Sequence, residues 1–162
     1  MRSVGVKEKV EAAAVALFAA HGVDGVAIGD IAARAGVSQG ALYRHYPSKD
    51  DLAWSLFSTA YLRTGAELDA IRAGQPNFPA RVAAMVAHFC TLYDTDPARF
   101  RFMLIAQHGF LPRVPADKRT PVDAITDTVA DAIAAGDVPP IERFVAAAAI
   151  MGVVLQLSLI HI

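Results

Sequence analysis

The stretch from Asp30 to Leu52, DIAARAGVSQGALYRHYPSKDDL, constrains the fold of this chain more than any other. A helical run stops at Gly36, the residue type that best tolerates the backbone of a tight helix end. Ser38 offers a hydroxyl to cap a second, short helix over 38–46. Pro47-Ser48 ends that helix and opens a third, with Asp50 and Asp51 in its first turn. Ile31, Ala32, Ala35, Val37, Leu42 and Tyr46 supply the apolar contacts that lock the first two helices together. Gln39, Gly40, Ala41, Tyr43, Arg44 and His45 are left on a face with little reason to be buried. Two locked helices that hold a short polar one in the open form a helix-turn-helix, the arrangement that reads a DNA major groove.

The rest of the chain repeats apolar residues at helical spacing, and strand-period alternation is nowhere sustained, so the chain reads as all-α. Val10, Ala13, Ala14, Leu17 and Phe18 form one stripe over Lys7–His21, which Gly22 closes. A helix follows from Ala27 or Ile28, without a capping side chain of its own. The helix opened by Ser48 runs to about Ile71, and GQPNFP (Gly74–Pro79) is a loop. Helices are then expected over Ala80–Tyr93, over Ala98–Gln107 behind the Asp96-Pro97 cap, and over Val122–Ala135 before Gly136. A final helix, Ile141–Ile162, is apolar on more than one face. In a chain this small, that predicts burial against a second copy.

The charge balance is flat: 15 Lys+Arg against 16 Asp+Glu, a net charge of -1 over 162 residues. DNA affinity would have to come from where charges sit and from helix-end N–H groups, not from a basic surface as a whole. A helical dimeric binding or scaffold protein without DNA recognition is the alternative that this balance favours. Cys90 is the single cysteine and has no internal partner, and no apolar run is long enough to cross a bilayer. A cytoplasmic protein with no membrane partner is the expectation. None of His21, His45, His88, His108 and His161 shows zinc-helix spacing, and no nucleophile stands with a base, so no metal, cofactor or enzymatic activity is expected.

The string GVDGVAIGDIAARAGVSQGALYRHYPSKDDL resembles the DNA-binding segment of the tetracycline-repressor-like (TetR) family, over roughly the first third of the chain. The resemblance implies a helix-turn-helix DNA-binding domain over 1–48 and a helical effector-binding and dimerisation domain over 49–162. It implies a homodimeric regulator, a repressor released from a palindromic operator by a small apolar or aromatic effector. By position, Gln39, Gly40, Ala41, Tyr43 and His45 would face the major groove, with Arg44 nearby, and Tyr43 and Lys49 would hold phosphates. Ala27 stands where the family often has a capping Thr or Ser.

For an effector pocket, Phe57, Tyr61, Met85, His88, Phe89, Tyr93, Phe102, Met103 and His108 are the candidates. Aromatic and methionine side chains line adaptable apolar cavities, and a histidine or tyrosine orients a polar group. Plain core packing is the rival reading for each. Val122, Ile125 and Val129 of one helix, with Ile150, Val154 and Leu155 of the last, are the expected dimer interface.

Overall fold

Among the described residues the chain forms eight α-helices: α1 (Val6–His21), α2 (Ile28–Ala35), α3 (Gln39–Tyr43), α4 (Lys49–Gly74), α5 (Phe78–Thr95), α6 (Pro97–Phe110), α7 (Pro121–Ala135) and α8 (Arg143–Ile160). A 3₁₀ turn, Leu111–Arg113, follows α6. The structure is a computed structural model that describes residues 5–160, with side chains through Val153. Among the described residues the architecture is all-α.

The helix starts follow from local chemistry. Ser48 Oγ accepts from the Asp51 N–H at 3.0 Å, Asp96 Oδ1 from Arg99 N–H at 3.0 Å, and Thr120 Oγ1 from Asp123 N–H at 3.2 Å. Each hydrogen bond satisfies a donor that the first helical turn leaves without a partner. α5 begins at Phe78, two residues before the expected Ala80, because Asn77 Oδ1 caps it by accepting from Ala80 N–H at 3.0 Å. Pro79 is tolerated there because a first-turn residue needs no N–H. α6 runs on through Gly109 to Phe110, beyond the expected Gln107.

The helices fall into two compact units, Met1–Ala60 with Asp96–Val114, and Tyr61–Thr95 with Pro115–Ile162. In the first, α1 is the hub: it packs on α2, α3 and α6. Val10, Ala14 and Phe18 are fully buried there, and Phe18 stacks on Phe102 with ring centroids 5.5 Å apart. Trp54, Phe57 and Phe110 form a second aromatic cluster. Arg113 lies 4.7 Å above the Trp54 ring and donates to Asp50 Oδ2 at 2.6 Å, so the turn after α6 is pinned to the first turn of α4.

In the second unit α7 packs on α8 and α5, around Leu68, Met85, Ala124, Ile125, Val129, Ala132 and Ala147. At Gly65 the chain before α7 crosses α4 so closely that a Cβ would lie 2.7 Å from the Arg119 carbonyl oxygen. Three arginines and three aspartates then tie α4, α5, α7 and this crossing together around an open cleft of about 570 Å³. Arg72 grips Asp131 with two bonds of 2.9 and 3.0 Å, Arg81 reaches the same carboxylate at 3.0 Å, and Arg119 bridges Asp69 and Asp127. The guanidinium of Arg119 holds the Asp69 carboxyl below the usual carboxylate range, and Arg72 does the same for Asp131.

α8 is apolar on more than one face, and in the single chain one of those faces is open. Phe144, Val145, Ala148, Ala149, Gly152 and Val153 lie exposed at the three-and-four spacing of one face, and Ile141 continues that face just before the helix. Val122 and Ile150 are half-buried. Ile125 and Val129 are each 1% exposed in the single chain. Val154 and Leu155 lie outside the residues whose side chains are described.

Candidate nucleic-acid interface

The exposed helix α3 is held from three sides. Gly36, at φ 65 and ψ 38, stops α2 in the left-handed region, and Val37 N–H returns to the Ala32 carbonyl at 3.0 Å. Those bonds turn the chain tightly enough for α3 to start two residues later. Ser38 Oγ accepts from Ala41 N–H at 3.2 Å, the cap that its position predicts. Leu42 and Ile31 are completely buried, so α3 is bolted to α2 and α1 through a single leucine. The helical segment itself is shorter than expected. It covers Gln39–Tyr43, with Arg44 and His45 in the turn that follows.

The same turn is tied down by contacts invisible in the string. Tyr46 is buried and its hydroxyl donates to Glu11 Oε1 of α1 at 2.5 Å. Burial, then the hydrogen bond to this carboxylate, pushes the Tyr46 phenol far above its ordinary pKa. Lys49 Nζ donates to the Val26 carbonyl at 2.8 Å, fixing the start of α4 to the approach to α2. At Ala27, where no side chain can cap, the Asp30 carboxylate accepts from the Ala27 N–H at 3.1 Å. It does half of what a capping box does.

With the scaffold fixed, Gln39, Gly40, Tyr43, Arg44 and His45 are all exposed, and Ala41 is half-buried. Tyr43 keeps 46% of its surface, unusual for an aromatic side chain flanked by buried Leu42 and Tyr46. α3 and the turn after it are thus exposed along these residues while Leu42 and Tyr46 stay buried.

A comparison with known sequences meets this geometry at the same place. Residues 12–56 match the family described as bacterial regulatory proteins, tetR family. The fold is that of the TetR-family regulators. A mycofactocin biosynthesis transcriptional regulator, provisionally named MftR, from Mycobacterium tuberculosis is 38% identical over 88 residues. That match takes in 54% of this chain and spans 44% of the relative's length. Among solved structures of similar fold, a gamma-butyrolactone receptor (ArpA-like protein) superposes with a TM-score of 0.78 at 24% identity, covering 93% of this chain and 79% of that one. FadR from Bacillus subtilis in complex with stearoyl-CoA superposes with a TM-score of 0.70 at 17% identity, covering 93% and 83%.

The residues expected around an effector are divided between the two units. Phe57, Phe102 and Met103 are buried in the first, the two phenylalanines in the aromatic contacts already described, and His108 is exposed there. Tyr61, Met85 and Phe89 are buried in the second, where Tyr93 is half-buried and His88 Nε2 stands 3.1 Å from Glu67 Oε2. Among the described residues no group of three or more His, Cys, Asp or Glu is placed to hold a metal ion, and no helix is long and apolar enough to cross a membrane.

Proposed function

We propose that this protein is a ligand-responsive DNA-binding transcriptional regulator of the cytoplasm, acting as a homodimeric repressor that a small apolar effector releases from a palindromic operator. The observation that carries the reading is the exposed polar face of α3, capped by Ser38 and bolted down through Leu42. Gln39 has the chemistry to pair with an adenine edge, and Arg44 with guanine or phosphate. A Cβ on Gly40 would meet nothing within 4 Å, so this side of α3 is open to close approach by a DNA backbone. Tyr43 and Lys49 are assigned to phosphates, Lys49 after giving up its bond to the Val26 carbonyl. DNA reading is assigned to 1–48, and effector binding and dimerisation to 49–162.

The second copy is assigned to the outward face of α8, from Ile141 through Phe144, Val145 and Val153, and to Val122 of α7. An exposed apolar helix face is the surface expected of an isologous contact. Two reading heads on one operator must stand about 34–36 Å apart, one DNA turn. The effector class is supported by the ligands of two similar folds: one is a gamma-butyrolactone receptor and another was solved with stearoyl-CoA. Tyr61, Met85, His88, Phe89 and Tyr93 are the candidates for contacting such a molecule. An effector shifts the equilibrium only by binding the released shape more tightly than the DNA-bound one.

A mobility-shift titration against the DNA flanking this protein's own gene tests the reading. Specific retardation that is lost on Gln39→Ala with Tyr43→Ala, and reversed by a butyrolactone or a long-chain acyl-CoA, is expected. Retardation indifferent to those substitutions would mean that α3 does not read DNA.

A further inference from the structure

Gly29 is a residue that the fold does not require. It lies in the first turn of α2, half-exposed, and it is not among the glycines with positive φ. Its backbone is one that any residue adopts, and glycine is the poorest helix former after proline. What stands where its side chain would be is the end of Gln39. A Cβ built on Gly29 would lie 3.1 Å from Gln39 Nε2, and apart from the neighbouring residues and the backbone of its own helix nothing else comes within 4 Å of it. The missing side chain of α2 is the seat of the first side chain of α3.

We propose that Gly29 is a positioning residue for DNA sequence recognition: its bare backbone seats the Gln39 amide against α2 and thereby sets which base edge Gln39 reads. The inference rests on the DNA-reading function proposed above and adds a residue outside the reading face. A glutamine side chain rotates about three bonds, so a free one must be ordered when it binds. Bidentate reading of a base needs the amide oxygen and nitrogen both in place and in plane. A seat on α2 removes part of that freedom before DNA arrives. Alanine at position 29 would push the amide away by a few tenths of an ångström, and leucine would take the seat altogether.

The test uses the full chain and randomised DNA duplexes. Sequences are selected by the wild type, Gly29→Ala, Gly29→Leu, Gln39→Ala and the Gly29→Leu/Gln39→Ala double variant. Relative affinities for all four bases are then measured at the position whose preference depends on Gln39. The wild type is expected to favour one base there by about 5- to 150-fold, the range of a good bidentate contact. Gly29→Ala should lower or redirect that preference several-fold, Gly29→Leu should abolish it, and Gly29→Leu should add nothing in the Gln39→Ala background. Melting temperatures of the Gly29 variants at or above wild type are expected, since alanine and leucine are better helix formers. They would separate the effect from unfolding. If Gln39→Ala loses the preference and both Gly29 variants keep it, the inference is overturned while the DNA-reading function stands. Weaker binding to every sequence alike, or a preference that survives Gln39→Ala, overturns it as well. A wild type that selects no sequence overturns the regulator reading itself.

Discussion

Replacing Phe144 with alanine probes the assigned dimer face where it has most to lose. Phe144 is 56% exposed in the single chain, so of the roughly 200 Å² that a phenylalanine can bury, about 110 Å² remains for a partner. At about 25 cal/mol per Å², covering it yields roughly 2.8 kcal/mol per chain. A two-fold contact uses the residue twice, so roughly 5–6 kcal/mol is the ceiling. Alanine keeps part of the area, and ordering costs take another part, which leaves about 3–4 kcal/mol to show in the association constant. Sedimentation equilibrium should therefore find the dimer weakened by about 100- to 1000-fold. The melting temperature of the monomer should hardly move, because Phe144 is more than half exposed there and the Arg143 guanidinium over its ring comes from the adjacent residue. A dimer constant within about threefold of wild type, well under 1 kcal/mol, would refute the placement of the interface on this face.

Three further predictions follow from the packing and the charges. Leu42→Ala removes the fully buried bolt of α3 and is expected to cost about 2–5 kcal/mol in denaturant unfolding, with operator affinity falling too. Unfolding unchanged by Leu42→Ala would show that α3 is not held through that residue. Gly65→Ala sets a Cβ 2.7 Å from the Arg119 oxygen and 2.8 Å from the Thr120 carbonyl carbon, a clash with backbone that should cost about 1–3 kcal/mol and lower the melting temperature. An unchanged melting temperature would mean that the two segments part freely. Finally, Asp131 has a pKa below its unfolded value because of Arg72, so the pair stabilises the fold above the ordinary carboxylate range and loses that contribution as pH falls through the lowered folded pKa. The melting-temperature gap between wild type and Arg72→Met should narrow on acidification from neutral pH, and a constant or widening gap would contradict the assignment.

Much of this architecture is legible in the string because its signals are local. Gly36, Ser38, Ser48, Asp96-Pro97 and Gly136 each act on a backbone group within a few residues, so caps and stops could be read before any tertiary contact was known. Asn77 is a signal of the same kind, hidden by the prolines on either side of it that make GQPNFP look like uninterrupted loop. What periodicity cannot give is which side of an apolar helix meets its own chain. Val122, Ile125 and Val129 share a stripe, yet Val122 is half-exposed while the other two are core. The Arg72–Asp131 and Arg119–Asp69 pairs join residues 59 and 50 positions apart, and Tyr46 meets Glu11 across 35. Their only trace in the sequence is the four-residue spacing of Asp127 and Asp131 on one face of α7. The seating of Gln39 on Gly29 is likewise a product of the turn at Gly36, since the two are ten positions apart in the chain.

The central claim is that α3 is mounted in duplicate to read a duplex, and the salt dependence of binding to a selected palindromic duplex tests it most directly. With Lys49, Arg44, Tyr43 and helix-end N–H groups on phosphates in each of two copies, the logarithm of the affinity should fall linearly and steeply with the logarithm of salt concentration, at about 0.9 per phosphate neutralised. One dimer should bind per duplex. Binding that is insensitive to salt, or a chain that prefers no sequence at any salt, would contradict it.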